Sequence, residues 1–105
     1  MGERTANVHD GDLAATLAYL AAIIHERRDA SPESSYTARL LQGPEDERLK
    51  KVVEEATEVV LASKDHDHDH IRYEAADLLY HLLVVLDAEQ VTLAELAGEL
   101  DARRR

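Results

Sequence analysis

The sequence predicts an all-α protein, a helical bundle of four main helices plus a short one. Apolar residues recur at intervals of three and four along nearly the whole chain, which is the helical period. No stretch shows the alternation of β-branched and polar residues that is typical of a half-buried strand. The 105 residues are enough for one domain with a modest core. We expect a single domain over 1–105, with 1–10 as a flexible N-terminus.

The first two helices are predicted from an apolar stripe and from the loop that follows it. Asp10 or Asp12 is a suitable N-cap for the first helix, whose stripe is Leu13, Leu17, Leu20 and Ile24. The composition of residues 29–35, DASPESS, is typical of a loop. A short helix is expected from Tyr36 to Gln42, with Gly43 at its C′ position.

The later helices are longer. One is predicted from about Pro44 to Lys64, with a core stripe of Leu49, Val52, Val53, Ala56, Val59 and Val60. The segment DHDHDH at residues 65–70 breaks the pattern, and a further helix is expected from Ile71 to Glu89. The last helix starts at Thr92, which forms a capping box with Glu95, and it ends in Arg103, Arg104 and Arg105.

The composition excludes several classes of protein. The net charge is −10, from 22 acidic residues against 12 Lys and Arg, which argues against binding to a nucleic-acid backbone. There is no cysteine for disulfides or thiolate zinc sites. The first residues do not resemble a secretory signal, and the run LLVVL is too short to span a bilayer. We therefore expect a cytoplasmic protein without a membrane association.

Two acids lie within the helix predicted from 71 to 89. This helix is apolar on nearly all sides and is expected to be central, yet Glu74 and Asp77 lie three residues apart on it. A buried carboxylate without a partner costs several kcal/mol. These acids need a cation, a proton or a basic neighbour, unless they lie in the wetted start of the helix. His81 on the same stripe is interpreted as a core histidine.

Three further acids, Glu54, Glu55 and Glu58, cluster on one side of the preceding helix. They form either a solvated acidic face or part of a site. Helices joined by a short connection tend to pack antiparallel, and acids three residues apart project side by side. If Glu55 and Glu58 face the acids of the later helix, four carboxylates converge. Oxygen ligands at that density suit Mg²⁺ or Mn²⁺.

The acids form the pattern E-E-x-x-E, fifteen residues, then E-x-x-D. This pattern resembles that of the MazG-like nucleoside-triphosphate pyrophosphohydrolases, all-α enzymes whose Mg²⁺ site uses such acids on two helices. The stretches SYTARLLQG, KKVVEEATEVVLASK and YEAADLLYHLLVVL look like the phosphoribosyl-ATP pyrophosphohydrolase family in particular. The resemblance runs from about Leu13 to the C-terminus.

The resemblance implies an activity and a set of site residues. The activity is Mg²⁺-dependent hydrolysis of phosphoribosyl-ATP to phosphoribosyl-AMP and pyrophosphate, the second step of L-histidine biosynthesis, with Mn²⁺ as an alternative cofactor. The implied metal ligands are Glu55, Glu58, Glu74 and Asp77. The implied catalytic residues are Glu54, Glu55 and Glu58, of which Glu54 is a further ligand, an orienting residue or the base for water. The substrate-binding candidates are Ser35, Tyr36, Thr37, Lys50, Lys51 and Lys64.

Simpler roles remain open for several of these residues. The three lysines can be ordinary surface charges, and Ser35 can be a helix cap. The family has a variable connecting segment where His66, His68 and His70 lie, so we assign them no catalytic role. They are expected to bind Ni²⁺ or Zn²⁺ only weakly.

The resemblance also implies partners. Relatives pair into dimers, so we expect a homodimer that completes the bundle. Many are fused to phosphoribosyl-AMP cyclohydrolase, the next enzyme of the pathway; we expect the free-standing form here, with association between the two enzymes left open. One competing hypothesis is a house-cleaning pyrophosphohydrolase acting on dUTP or a damaged nucleotide. Another is a non-enzymatic helical interaction module whose acids are surface charge.

Overall fold

The computed structural model describes residues 5–104, and over this range the chain is all-α, as predicted. Five helices are present: α1 Leu13–Glu26, α2 Tyr36–Gln42, α3 Glu45–Lys64, α4 His68–Ala88 and α5 Leu93–Ala102, with a 3₁₀ turn at Arg27–Asp29 after α1. The expected flexible N-terminus lies partly outside the described residues, as does Arg105. No helix between residues 5 and 104 is long and apolar enough to cross a membrane.

The helix starts follow the capping residues of the sequence. Asp12 caps α1 by accepting a hydrogen bond from the backbone N–H of Ala15 at 3.2 Å. Thr92 and Glu95 form the expected capping box at the start of α5. These caps satisfy N–H groups that have no partner inside the helix.

Gly43 ends α2 in a different way from the one predicted. Its backbone is extended, with φ at −83°, so it is not a left-handed C′ residue. A Cβ atom at this position would lie 2.7 Å from the carbonyl oxygen of Arg39. Glycine is needed here because two backbone segments approach closely, and not because of a positive φ.

The hydrophobic core lies between α1, α2 and α4. Its buried residues are Ile24, Leu40, Leu83 and Val84, and the partly buried residues packed against them are Leu17, Leu20, Leu41, Tyr80, Leu86 and Leu93. The apolar stripe predicted on the first helix therefore faces this core through its last three members. The core therefore packs α4 against both α1 and α2.

The predicted core stripe of α3 is only partly confirmed for the single chain: Val52, Ala56 and Val59 are half-buried, but the other three residues are exposed. Val53 and Val60 are 66% and 59% exposed, and Leu49 is exposed as well. The face of α3 that meets α4 carries Glu55 and Ala62, which lie seven residues apart and are both buried. The small side chain of Ala62 allows the helices to approach closely, so Glu55 turns inward while Val53 and Val60 turn outward.

The connection between α3 and α4 is shorter than predicted. His66 adopts a left-handed conformation with φ of 56°. The N–H of His66 bonds to the carbonyl of Ser63, and the N–H of Asp67 bonds to that of Ala62. These two bonds are a Schellman motif, which reverses the chain directly. The Asp67 side chain then accepts from the N–H of His70, so α4 begins at His68 and not at Ile71.

Candidate metal centre and active site

A first group of carboxylates joins α3 to α4. Glu55 on α3 and Glu74 and Asp77 on α4 each offer an oxygen, and these oxygens lie within 4.8 Å of one another. Glu74 is only 2% exposed and Glu55 only 8% exposed. Glu55 and Glu74 thus lie close together across two helices and are both buried, an arrangement that needs a proton or a compensating positive charge.

A second group overlaps the first. Glu58 on α3 and His70 and Glu74 on α4 also place one ligand atom each within 4.8 Å of one another. Nε2 of His70 lies 3.0 Å from Oε2 of Glu74. Glu74 belongs to both groups and links them. Each of the four acids predicted as metal ligands thus falls in at least one group, while the ligand role itself stays a prediction.

His70 is a candidate ligand that the sequence pattern does not predict. The composition of residues 65–70 predicts a flexible connection, but His70 lies in the first turn of α4 and is 5% exposed. The Asp67 cap extends the helix past the histidine and turns its ring toward the acids. The available signal was the spacing to Glu74, four residues on, which puts both side chains on one helix face. His68 and His66, in contrast, are exposed.

The pKa of Glu55 is raised by its burial and by the neighbouring acids. Burial is the largest cause that raises the pKa of Glu55 above that of an ordinary carboxyl, and the charges of Asp77 and Glu74 raise it further. Lys51 and His81 act in the opposite direction. The net effect disfavours the ionised form of Glu55 in the folded chain.

Lys51 is the cation beside this cluster. Its Nζ lies 3.5 Å from Oε1 of Glu55 and 3.5 Å from Oε1 of Glu54. Burial lowers the pKa of Lys51, but nearby Tyr36, Glu55 and Glu54 outweigh it and raise the pKa overall. Lys51 therefore stays protonated next to the acids.

The other predicted residues of α3 lie further from the cluster. The Glu54 side chain is 46% exposed, lies outside both ligand groups and pairs with Lys50 at 3.9 Å. Lys64 is the last residue of α3, six residues beyond Glu58 and so about 9 Å further along the axis. The structure does not bring Lys64 to the acids.

The start of α2 packs against α4 next to the acids. Ser35 is the N-cap of α2, and its Oγ accepts a hydrogen bond from the N–H of Ala38 at 3.1 Å. The Tyr36 ring stacks on that of Tyr80 with centroids 6.3 Å apart. Thr37 Oγ1 hydrogen bonds to the Tyr80 hydroxyl. Ser35 thus has the capping role, whereas Tyr36 and Thr37 fix α2 on the central helix.

His81 is a satisfied core histidine, and it connects Tyr36 to the acidic cluster. Its Nδ1 donates to the backbone carbonyl of Asp77 at 2.9 Å, because a carbonyl oxygen can only accept. In the neutral ring Nε2 therefore accepts from the Tyr36 hydroxyl, 3.1 Å away. Burial is the largest cause that raises the pKa of Tyr36, so the phenol remains protonated.

Comparison with known proteins identifies the family. The family model described as phosphoribosyl-ATP pyrophosphohydrolase matches residues 17–104, which is most of the chain. The chain belongs to the phosphoribosyl-ATP pyrophosphohydrolase family. The matched range contains all of α2, α3 and α4, and therefore both ligand groups.

Individual relatives agree with this assignment. The chain is 48% identical to the phosphoribosyl-ATP pyrophosphatase of Rhizobium etli, over 84% of this chain and 82% of that protein. It is 51% identical to the phosphoribosyl-ATP pyrophosphatase of Methylibium petroleiphilum, over 84% of this chain and 73% of that protein. It is also 46% identical to the histidine biosynthesis bifunctional protein HisIE of Halalkalibacterium halodurans, over 85% of this chain but 42% of that protein.

The donor set of this family member fits a divalent cation. The group of Glu55, Glu74 and Asp77 is made of carboxylate oxygens alone, the ligands that Mg²⁺ prefers. Burial first, and then the negative charges of Asp77 and Glu74, raise the pKa of Glu55, so part of the shift comes from repulsion between these acids. A bound cation would remove this repulsion, and Lys51 is the only neighbouring cation, among the residues described, that pairs with Glu55.

Proposed function

We propose that this chain hydrolyses phosphoribosyl-ATP to phosphoribosyl-AMP and pyrophosphate, in a reaction that depends on Mg²⁺. The observation that carries the proposal is the convergence of buried carboxylates from α3 and α4 around Glu74. Membership of the phosphoribosyl-ATP pyrophosphohydrolase family supports the choice of substrate. A surface patch of acids would be exposed, but Glu55 and Glu74 are not.

The cation would be held by Glu55, Glu58, Glu74 and Asp77. When bound, Mg²⁺ offsets the charge of the phosphates and makes a water molecule more acidic. The burial of Glu55 and Glu74 holds their side chains in place before substrate binds, because neighbouring atoms restrict their rotamers. Four carboxylates without a cation would repel the triphosphate.

Lys51 is the candidate for binding a phosphate oxygen. Its ammonium lies beside the acids, is protonated, and is close enough to Tyr36 to interact with that hydroxyl electrostatically. The Lys51 ammonium pairs equally with Glu54 and Glu55, at 3.5 Å each. It can therefore turn from Glu54 toward a bound anion and still lie beside Glu55. We assign Lys50 a weaker role because its side chain is largely exposed and pairs only with Glu54 among the residues described.

Glu54 is the candidate general base. It is the one acid of the E-E-x-x-E motif that lies outside both ligand groups, so its carboxylate is available to accept a proton from water. The water oxygen would form a bond to one phosphorus of the anhydride as the bridging P–O bond breaks, which yields phosphoribosyl-AMP and pyrophosphate. Glu54→Gln is expected to lower kcat by about 100-fold, in the range typical of general-base loss, while the affinity for Mg²⁺ stays within about twofold. An equal loss of Mg²⁺ affinity would instead make Glu54 a ligand.

The proposal is tested by pyrophosphate release from phosphoribosyl-ATP with Mg²⁺, with ATP, dUTP and a metal-free reaction alongside. We expect release from phosphoribosyl-ATP only, its loss in Glu58→Gln, and its retention in Glu47→Gln, an exposed acid on the same helix. Release from dUTP would keep the metal centre but replace the substrate. Absence of release from every nucleotide by folded protein would refute the enzymatic function.

We also propose that the chain forms a homodimer. Leu49, Val53 and Val60 form one exposed apolar stripe along α3, which another copy of the chain could cover. Sedimentation should give a dimer, and Val53→Glu should shift it toward monomer.

The relation to HisIE proteins favours association with phosphoribosyl-AMP cyclohydrolase. A cytoplasmic location remains a prediction from the sequence.

A further inference from the structure

The group of Glu58, His70 and Glu74 differs in chemistry from the group beside it. Its ligand atoms include the imidazole nitrogen of His70, whereas the neighbouring group offers oxygens alone. His70 and Glu74 extend from the same face of α4, four residues apart, and Glu58 approaches from α3. Three donors of two kinds thus meet between two helices, in the way that helical bundles build carboxylate–histidine metal sites.

A simple surface ion pair does not account for this group. The side chains of His70 and Glu74 are 6% and 2% exposed, so both have lost nearly all of their contact with water. Within residues 5–104, no Lys or Arg nitrogen pairs with Glu58 or Glu74, and His70 is the only basic partner of Glu74. Glu74 pairs with this imidazole, and Glu58 is the second carboxylate within 4.8 Å of it, so two carboxylates lie beside a single basic group.

The distances suit direct coordination. Two donor atoms about 2.1 Å from one ion, at angles of about 90–110°, lie about 3.0–3.4 Å apart. Nε2 of His70 and Oε2 of Glu74 are already 3.0 Å apart. The donor atom of Glu58 lies within 4.8 Å of the other two, a separation that a small rotation of this half-buried side chain can shorten.

We propose that Glu58, His70 and Glu74 form a second metal subsite, which prefers a borderline divalent ion such as Zn²⁺ or Fe²⁺ to Mg²⁺. Imidazole nitrogen suits these ions, whereas Mg²⁺ favours oxygen. The carboxylate of Glu74 is shared with the oxygen-only subsite, so the centre has two unlike halves. The inference extends the metal centre of the proposed function, but metal binding by this subsite is measurable without turnover.

The first test is calorimetric titration of the metal-free protein with Zn²⁺ alone and with Mg²⁺ alone. The matched variants are His70→Gln and His68→Gln, since His68 lies two residues away on an exposed part of α4. Both are made in a His66→Gln background, which reduces weak binding by the neighbouring histidines. We expect His70→Gln to weaken Zn²⁺ binding by at least about 100-fold and Mg²⁺ binding by less than about threefold, and His68→Gln to change neither by more than about twofold.

Loss of a ligand and loss of an orienting hydrogen bond give different results. A residue that only orients Glu74 would weaken both metals together, by the factor of about 10–100 that is typical of outer contacts. Equal losses for Zn²⁺ and Mg²⁺, or unchanged Zn²⁺ binding, would overturn the proposal.

The second test needs no substitution of His70. Histidine side-chain ¹H–¹⁵N spectra of the His66→Gln, His68→Gln protein should show a new Nε2 resonance for His70 at one equivalent of Zn²⁺, in slow exchange. An unmoved Nε2 resonance would overturn the subsite.

Pyrophosphate release with Mg²⁺ alone, without a Zn²⁺ effect at His70, would leave the proposed function intact. Zn²⁺ binding through His70 without any release would refute only the function.

Discussion

Glu55→Gln is expected to stabilise the metal-free protein, although it removes an acid of the proposed active site. The substitution keeps the shape of the side chain and removes its charge. Glu55 is buried and faces Glu74 and Asp77, whose oxygens lie within 4.8 Å, and it is attracted by Lys51 at 3.5 Å. The sign of the effect depends on which of these interactions is larger.

The magnitude follows from Coulomb's law. The ligand oxygens of Glu74 and Asp77 lie no more than 4.8 Å from that of Glu55, so each repulsion is worth at least about 3.5 kcal/mol at an effective dielectric constant of about 20. The attraction to Lys51 at 3.5 Å is worth about 4.7 kcal/mol on the same scale. The two repulsions together exceed the attraction by about 2 kcal/mol, and salt reduces this surplus. We expect the free energy of unfolding to rise by about 1–2 kcal/mol at neutral pH.

The pH dependence has a definite sign. Burial, Asp77 and Glu74 raise the pKa of Glu55 in the folded chain. Between the ordinary carboxyl pKa and this raised value, the folded chain binds more protons than the unfolded chain. The free energy of unfolding therefore falls as the pH rises through that window. The contribution of residue 55 to this slope should vanish in the glutamine variant.

The assay is urea unfolding followed by circular dichroism, at fixed protein concentration, with a chelator and then with Mg²⁺. Glu54→Gln is the matched control, because its exposed side chain should change the stability by less than about 0.5 kcal/mol. With Mg²⁺ the order should reverse, since a bound ion stabilises only the protein that holds it. A metal-free Glu55→Gln protein less stable than the wild type would refute the reasoning from charge crowding.

Three further predictions concern stability. Gly43→Ala should lower the free energy of unfolding by about 1–3 kcal/mol, because its Cβ would clash with the carbonyl of Arg39; an unchanged melting temperature in calorimetry would contradict this. Gln90→Gly should raise it by about 0.5–1 kcal/mol, since Gln90 has a φ of 62° that glycine adopts freely; destabilisation in urea would show that its side chain matters more. Tyr36→Phe should cost about 1–2 kcal/mol by removing the donor to Nε2 of His81, and chemical unfolding without any loss would show that water replaces the hydroxyl.

The fold class could be predicted because helical periodicity and capping residues are local properties. Asp12 and Thr92 cap their helices as the sequence indicates, and the motif acids lie on the two predicted helices. The spacing of Glu74 and Asp77 on an apolar helix also predicts that they lie near each other. These inferences need only the geometry of one helix.

The orientation of α3 could not be predicted in the same way. Its valines and its acids lie on different faces, and hydrophobicity alone chooses the valine face for the core. The structure buries Glu55 and Ala62 instead. The contact with α4 depends on the small size of Ala62 and on the position of Glu55 beside the acids of α4, and hydrophobicity describes neither. The burial of His70 was missed for a related reason: composition predicts a loop for DHDHDH, but one aspartate cap and one left-handed residue are enough to start the helix there.

The Schellman turn at His66 makes the candidate metal centre local in sequence. Every candidate ligand lies between residues 55 and 77, on two helices with only residues 65–67 between them. Closing so short a connection costs little chain entropy, and local contacts of this kind form early in folding. If this hairpin forms before the rest of the core, it brings carboxylates that repel one another together at an early stage. A divalent cation in the refolding buffer should therefore act on the folding rate itself, and not only on the unfolding rate of the finished protein.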